Sequence, residues 1–351
     1  MQKLPHEYFL GKRGYYSILG ISIIFAMFSG YFYGVKSQQD KYTSFLMSFK
    51  TLHENSDKYT FINPLVGGIS APATDVGIYS DIKSDVVSYL KKEESQGNLY
   101  DYSFYFRDLN TGLWFGDNES SNFFPASLFK LPIAIAVYKQ VENDPSFLKK
   151  QLVYTQDLST INTKKQLNSE STLVVGQSYS VEYLVEKMLT LSDNGAKNLL
   201  LSAFDKKYLD QLFSVMSFSD PNSSTMYEVS SRKYSHFLRV LYGSSYLNEE
   251  HSELILGMLS KSTFKNGLVA GLPKEVLVAH KFGVYEIPET VKGKEITTVQ
   301  LHDCGVIYYV SKPYILCVMT KGKDDESLFK IISKVSKMVY NYQEGHNLNG
   351  K

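Results

Sequence analysis

Cysteine is scarce in this chain of 351 residues: Cys304 and Cys317 are the only two. A multi-bridge disulfide framework, a C-x-x-C redox pair and a zinc ribbon all need more thiols or closer spacing, so none of them is expected and no metal site is read from the cysteines. The two flank the turn expected at "SKP". Two buried thiols are the first expectation there, and a bridge across paired strands is the second. Net charge is also missing, since 37 Lys and Arg balance 36 Asp and Glu. Without a basic field, nucleic acid is not an expected partner. The sequence has no G-x-S-x-G elbow, no H-E-x-x-H helix and no G-x-x-x-x-G-K phosphate loop. Internal repeats and low-complexity tracts are absent too. What remains is 43% hydrophobic and 14% aromatic, enough for the core of one large domain or two intimately packed ones.

One long hydrophobic run stands apart. "YYSILGISIIFAMFSGYFYGV", residues 15–35, carries no charge over a length close to the ~20 residues that cross a bilayer as a helix. Lys3, Lys12 and Arg13 precede it, which keeps residues 1–14 in the cytoplasm and sends the rest outside. A cleaved signal peptide is the rival reading, but no A-x-A site follows the run. The expectation is a single-pass membrane anchor over 15–35, an extracytoplasmic tether over 36–79 and a folded body over 80–345.

Within the body, 80–94 has helical spacing, and "YDYSFYFRDL" and "GLWFGD" around "NTG" read as a hairpin. Residues of about 127–265 hold successive helical patterns, and strands return in "EVLVAHKFGVY", "TTVQLHDCGVIYYV" and "YILCVMTKG" before a final helix. The fold class is α+β: strands from both ends share one antiparallel sheet flanked by helices, with an all-helical block inserted between them.

Ser127 and Lys130 open the apolar helix "SLFKLPIAIAV", with a kink expected at Pro132. Positions three apart share a helix face, so the lysine amine reaches the hydroxyl. A lysine held among apolar groups loses its proton readily and can activate a serine, and a helix N-terminus favours developing negative charge. The S-x-x-K pattern by itself is common, beginning at Ser80, Ser88, Ser127, Ser146, Ser230, Ser262 and Ser327. Ser327 follows "KDDE" and reads as the start of a capped helix. Two later stretches single out Ser127. "SDN" places Ser192, Asp193 and Asn194 in a break between helices, where Asp193 or Asn194 can cap the second. "KFG" places Lys281 and Gly283 on a strand. His302 and Asp303 are adjacent in a strand, point to opposite faces, and so read as structural rather than as part of a triad.

S-x-x-K, S-D-N and K-x-G in this order resemble the class A β-lactamase and penicillin-binding-protein superfamily of serine hydrolases over roughly residues 80–343. The resemblance implies a β-lactamase-like fold and no cofactor. Ser127 then attacks a β-lactam or D-alanyl carbonyl, and Lys130 takes its proton. Ser192 relays a proton to the leaving nitrogen, Asn194 binds the substrate amide, and Lys281 holds the substrate carboxylate. Gly283 completes the K-x-G motif, and the backbone N–H groups of Ser127 and Val284 form the oxyanion hole. β-Lactam hydrolysis is the first activity implied. The alternatives are D-alanyl-D-alanine carboxypeptidase or transpeptidase activity on peptidoglycan, or an inactive wall-peptide-binding module. Two departures from the family pattern matter. Phe282 replaces a hydroxyl residue, and "SFSDPNSSTMYEVSS" is shorter by roughly a dozen residues than the loop that carries the water-activating glutamate. Glu228 lies where a count from Ser192 places that acid; matching the following helix first puts it beyond the loop.

Overall fold

The computed structural model describes residues 12–47, 51–53, 58–68, 77–156, 171–218, 228–291, 294–309 and 312–345. The chain divides after Phe49 into two units. The first contains α1 (Lys12–Met47), which continues the expected span at both ends. Its stretch Tyr16–Gln38 has a mean hydropathy of 1.8 and none of it is buried, so by length and composition it can cross a membrane.

The second unit runs from Lys50 to the C-terminus. It begins with β1 (Thr51–His53) and β2 (Leu65–Gly68), which pair antiparallel. Then come α2 (Ser80–Ser95), the hairpin β3 (Leu99–Asp108) and β4 (Trp114–Asp117), and a short β5 (Asn122–Phe123). In the hairpin turn the Asp108 carboxylate accepts the N–H groups of Asn110 and Thr111, both at 2.8 Å, while Gly112 takes a positive φ of 74°. The helical block holds α3 (Lys130–Asn143), β6 (Gln151–Val153), β7 (Ser178–Ser180), α4 (Val181–Thr190), α5 (Asn194–Leu201) and α6 (Lys207–Val215). It closes with β8 (Val229–Ser230), α7 (Ser231–Tyr242) and α8 (Glu249–Ser260). Finally β9 (Leu277–Val291), β10 (Lys294–Tyr308), β11 (Tyr314–Gly322) and α9 (Asp325–Gly345) complete the chain.

The five-stranded sheet has the order β4-β3-β11-β10-β9, antiparallel throughout, so strands from both ends of the body do share it. Side chains alternate between its faces. Ala279, Cys304, Val306, Ile315, Cys317 and Met319 join one apolar cluster with the helical block. On the other face Phe104, Phe106 and Phe115 are fully buried, with α2 and α9 packed against β3 and β11. The sheet is thus buried on both sides. This explains why its strands read as nearly continuous apolar runs rather than clean alternations.

Three expectations change. Cys304 and Cys317 are joined by a disulfide, not left as thiols: the register of β10 on β11 places them directly opposite, with Cα atoms 3.9 Å apart in the buried core. Pro132 lies within the first turn of α3, after a 3-10 turn over Ala126–Phe129. Its missing N–H is one that the first turn leaves unbonded anyway, so it starts the helix instead of kinking it. The segment read as a tether is in part docked on the body. The Glu253 carboxylate of α8 accepts the N–H groups of Thr60, Phe61 and Ile62 at 2.8, 2.8 and 3.0 Å. Asn63 N–H donates to the Tyr242 carbonyl at 2.8 Å, and Ile62 is buried. Backbone donors carry this docking, so it leaves no side-chain period to read.

Glu253→Ala removes the acceptor of three N–H groups at once. Limited proteolysis is expected to cut within residues 58–65 in this variant but not in the parent, with a loss of about 1–3 kcal/mol of stability.

Candidate active site

The turn that carries Ser127 is held from the sheet. Phe124 N–H donates to Gln300 Oε1 at 3.1 Å, and the Phe124 carbonyl accepts from His302 Nε2 at 3.0 Å. Thr320 N–H donates to His302 Nδ1 at 3.2 Å, which fixes the tautomer with the proton on Nε2. Burial pushes the His302 pKa down to about 4, in keeping with a neutral ring. Ala126 then adopts a left-handed φ of 49°, a conformation that costs a residue with a Cβ about 1 kcal/mol. The chain so turned enters the 3-10 turn with Ser127 almost fully buried at the head of α3.

Lys130, one turn on, is also buried, and its Nζ lies 3.1 Å from Ser127 Oγ and 3.0 Å from Ser192 Oγ. It donates to the Ser192 carbonyl as well. Ser192 occupies the break between α4 and α5 with a left-handed φ of 59°. Asp193 caps α5: its carboxylate accepts from Ala196 N–H at 2.9 Å, Thr172 N–H at 2.7 Å and Ser171 Oγ at 2.9 Å. That carboxylate is committed to holding the break in place, and Asn194 begins α5, buried. A Cβ on Gly195 would come within 2.4 Å of Ser171 Oγ, so a larger residue there would displace a side chain that bonds the cap.

Lys281 reaches the same hydroxyl from the opposite side. It projects from β9, the edge strand, and its Nζ lies 3.0 Å from Ser192 Oγ and 3.1 Å from the Phe282 carbonyl. Gly283 permits the approach of β9 to the turn that carries Ser127. A Cβ there would come within 2.7 Å of the Pro125 carbonyl and 3.1 Å of the Ser127 nitrogen. Phe282 points to the other face of the sheet, stacked on Phe264 with centroids 3.9 Å apart. Its ring also lies 4.3 Å from the Lys281 ammonium. The residue that replaces a hydroxyl is therefore part of the core behind the lysine.

Burial drives the Lys130 pKa well below the usual lysine value. Lys281 and Lys197 push it further down, and Asp193 opposes them. Burial also lowers Lys281 to about 7, opposed by Asp303. Asp303 pairs with His280 Nδ1 at 2.8 Å and accepts from Leu268 N–H at 2.9 Å, behind the sheet. His302 and Asp303 thus serve opposite faces, as adjacent strand residues do. A buried hydroxyl flanked by two amines of reduced basicity can pass a proton from one heavy atom to the next.

The remaining candidates sit elsewhere. Glu228 is exposed at the entry to β8 and, among the described residues, bonds to none of Ser127, Lys130 or Ser192. Ser327 lies in the first turn of α9, where its N–H is capped by Asp324 at 2.7 Å, and Lys330 pairs with Glu326 at 2.7 Å on the surface. That S-x-x-K copy is a helix start. Two contributors escaped the sequence. Lys197 is the second cation, after Lys281, to lower the Lys130 pKa, one turn beyond Asn194. Gln300 holds Phe124 from β10, beside His302, whose structural role the sequence did suggest.

A family model described as "Beta-lactamase enzyme family" matches residues 85–343. The chain belongs to this family. Among solved structures it is similar to PBP-A, with 22% identity, TM-score 0.61, and coverage of 76% of this chain and 97% of that one. A class A β-lactamase from Mycobacterium abscessus gives 18% identity and TM-score 0.59, over 75% and 99% of the two chains. The extended-spectrum β-lactamase TLA-1 gives 18% and 0.62, over 75% and 98%. At these identities the likeness is one of fold. No curated protein sequence matches the chain.

Two expected outcomes test the geometry. Gly283→Val presses a side chain against the Pro125 carbonyl and the Ser127 nitrogen and is expected to cost about 1–3 kcal/mol of stability, measured by thermal melts. Lys281→Met removes an amine that burial disfavours in its charged form. Between about pH 7 and the ordinary lysine pKa the unfolded parent binds more protons than the folded one, so its stability rises with pH across that window. The variant is expected to melt higher at pH 7 and to lose that rise, measured by thermal melts across the window.

Proposed function

We propose that the protein is an extracytoplasmic serine hydrolase, held to the membrane by α1, that opens β-lactam rings through an acyl-enzyme on Ser127. What supports this reading above all is the unbroken chain of contacts from Ser127 Oγ to Lys130 Nζ to Ser192 Oγ to Lys281 Nζ, with successive separations of 3.1, 3.0 and 3.0 Å. Ser127 Oγ attacks the lactam carbonyl carbon and gives its proton to Lys130. Ser192 delivers a proton to the ring nitrogen as the C–N bond breaks. The oxyanion rests on the backbone N–H groups of Ser127 and Val284, and Asn194 binds the substrate amide. Lys281 in its charged form holds the substrate carboxylate.

Water must then cleave the ester, and for this step a general base is needed. The Asp193 carboxylate is spent on its cap, and Glu228 is exposed and bonded to none of the catalytic side chains. This favours a long-lived acyl-enzyme. It also keeps the second reading in play, a carboxypeptidase or transpeptidase acting on D-alanyl-D-alanine peptides of peptidoglycan, where the same ester passes to water or an amine. A module that binds wall peptides without reacting is the third.

A fluorescent penicillin decides among them. Covalent labelling of Ser127 is expected, absent in Ser127→Ala and reduced by at least about 100-fold in Lys130→Ala. The labelling rate is expected to fall as pH drops through the lowered Lys130 pKa, because the protonated amine cannot accept the serine proton. The label is expected to persist, with no change in its decay in Glu228→Gln. Rapid decay that Glu228→Gln slows would instead assign the water-activating role to Glu228. No label in the parent protein leaves only the binding module.

A further inference from the structure

The strands beside Ser127 offer little to an anion. A charged lysine has three N–H groups. Lys281 directs one to Ser192 Oγ at 3.0 Å and one to the Phe282 carbonyl at 3.1 Å, which leaves one for a substrate. The amine is wholly buried, and burial, opposed by Asp303, lowers its pKa to about 7, so at neutral pH it is charged only part of the time. The next side chain adds no donor. Phe282 is packed on Phe264, and what it turns toward the ammonium is a ring face 4.3 Å away, which attracts a cation and repels an anion. On the neighbouring strand His302 stands opposite Gly283, on the same face as Lys281. Its Nε2 proton goes to the Phe124 carbonyl and its Nδ1 accepts from Thr320 N–H, so the ring is neutral with both nitrogens in use.

We propose that the site does not select for a free carboxylate on the leaving side of its substrate, and that neutral acyl donors, amides and esters, acylate Ser127 as readily as donors that end in a carboxylate. A carboxylate has two oxygens to pair and is costly to take out of water. One N–H from an amine that is charged part of the time leaves it underpaired, so the attraction does little more than offset the desolvation. A carboxamide in the same place gives up less hydration and loses no strong contact. The inference rests on the acylation chemistry proposed above and concerns only the leaving groups that chemistry takes. The step is the same for each: the bond from Ser127 Oγ to the carbonyl carbon forms, the bond from that carbon to the leaving nitrogen, oxygen or sulfur breaks, and the serine proton passes through Lys130 and Ser192 to the leaving atom. No further reactant is needed.

The test compares two thioesters of N-benzoylglycine that differ only at the far end of the leaving group, one ending in thioglycolate and the other in its carboxamide. Acylation of Ser127 in the full-length protein is followed by mass spectrometry, with benzylpenicillin alongside, and each thioester rate is divided by the rate of the same compound with hydroxide. A fully made bond to a charged group discriminates by about 10–100-fold. Here the two corrected rates are expected to agree within about threefold. Phe282→Thr, which puts a hydroxyl beside Lys281, is expected to raise the preference for the carboxylate by at least about tenfold, and the comparison in the parent protein stands without it. A preference of at least about tenfold for the carboxylate in the parent overturns the proposal, as does labelling by benzylpenicillin with none by the carboxamide thioester; either result leaves the hydrolase reading standing. No adduct from any of the three compounds removes that reading and the proposal with it.

Discussion

Taking two lysine amines out of water is the constraint on which this site depends. An exposed lysine is charged at neutral pH and cannot accept a proton from a serine. Lys130 and Lys281 are each almost wholly buried, and both amines close on the Ser192 hydroxyl. Desolvation removes the preference for the charged form, and each cation near Lys130 lowers it further. The protein carries these groups at a cost to stability, as functional sites commonly do. The hydroxyls, the helix start and the edge strand are arranged so that the loss of basicity falls where a proton must move.

The fold supplies that arrangement from three directions. The helical block brings Lys130 at the head of α3 and Ser192 at the break before α5. The sheet brings Lys281 on its edge strand, and Gly283 lets that edge come close enough to touch the turn that carries Ser127. Some backbone strain is stored here, with Ala126 and Ser192 both in left-handed conformations. Neighbours hold it in place: β10 grips Phe124 through Gln300 and His302, and the Asp193 cap fixes the residue after Ser192. On the far face of the sheet, Phe282 and Phe264 pack beneath Lys281, and the buried Asp303 moderates its loss of charge.

Much of this was legible in the residues because it is carried by local patterns. The 3.6-residue period marked the helices of the block, and the alternation of helix and strand runs fixed the α+β class. Ser127, Lys130, Ser192 and Lys281, whose side chains the fold brings together, were singled out through short spacings that place each on a helix start, a helix break or a strand. What the sequence concealed was long-range. The register that sets Cys304 opposite Cys317 depends on how β10 pairs with β11, and thirteen residues of separation do not fix it. The docking of residues 58–65 uses backbone N–H groups, which every residue but proline has. Lys197 is an ordinary helix lysine until the packing of α5 turns it toward Lys130. Glu228, reached by counting along the chain, lies exposed at the entry to β8, and counting carries no information about exposure.

The most direct measurement of the central claim is the titration of the lysine ε-carbons by NMR in protein labelled with 13C-lysine, with Lys130 and Lys281 assigned by their substitution. The account predicts one resonance titrating at about 7, for Lys281, and another well below the usual lysine range, for Lys130. Both resonances titrating together with the surface lysines would contradict it, since the amines would then be charged at neutral pH and the proton path through Ser192 would have no acceptor.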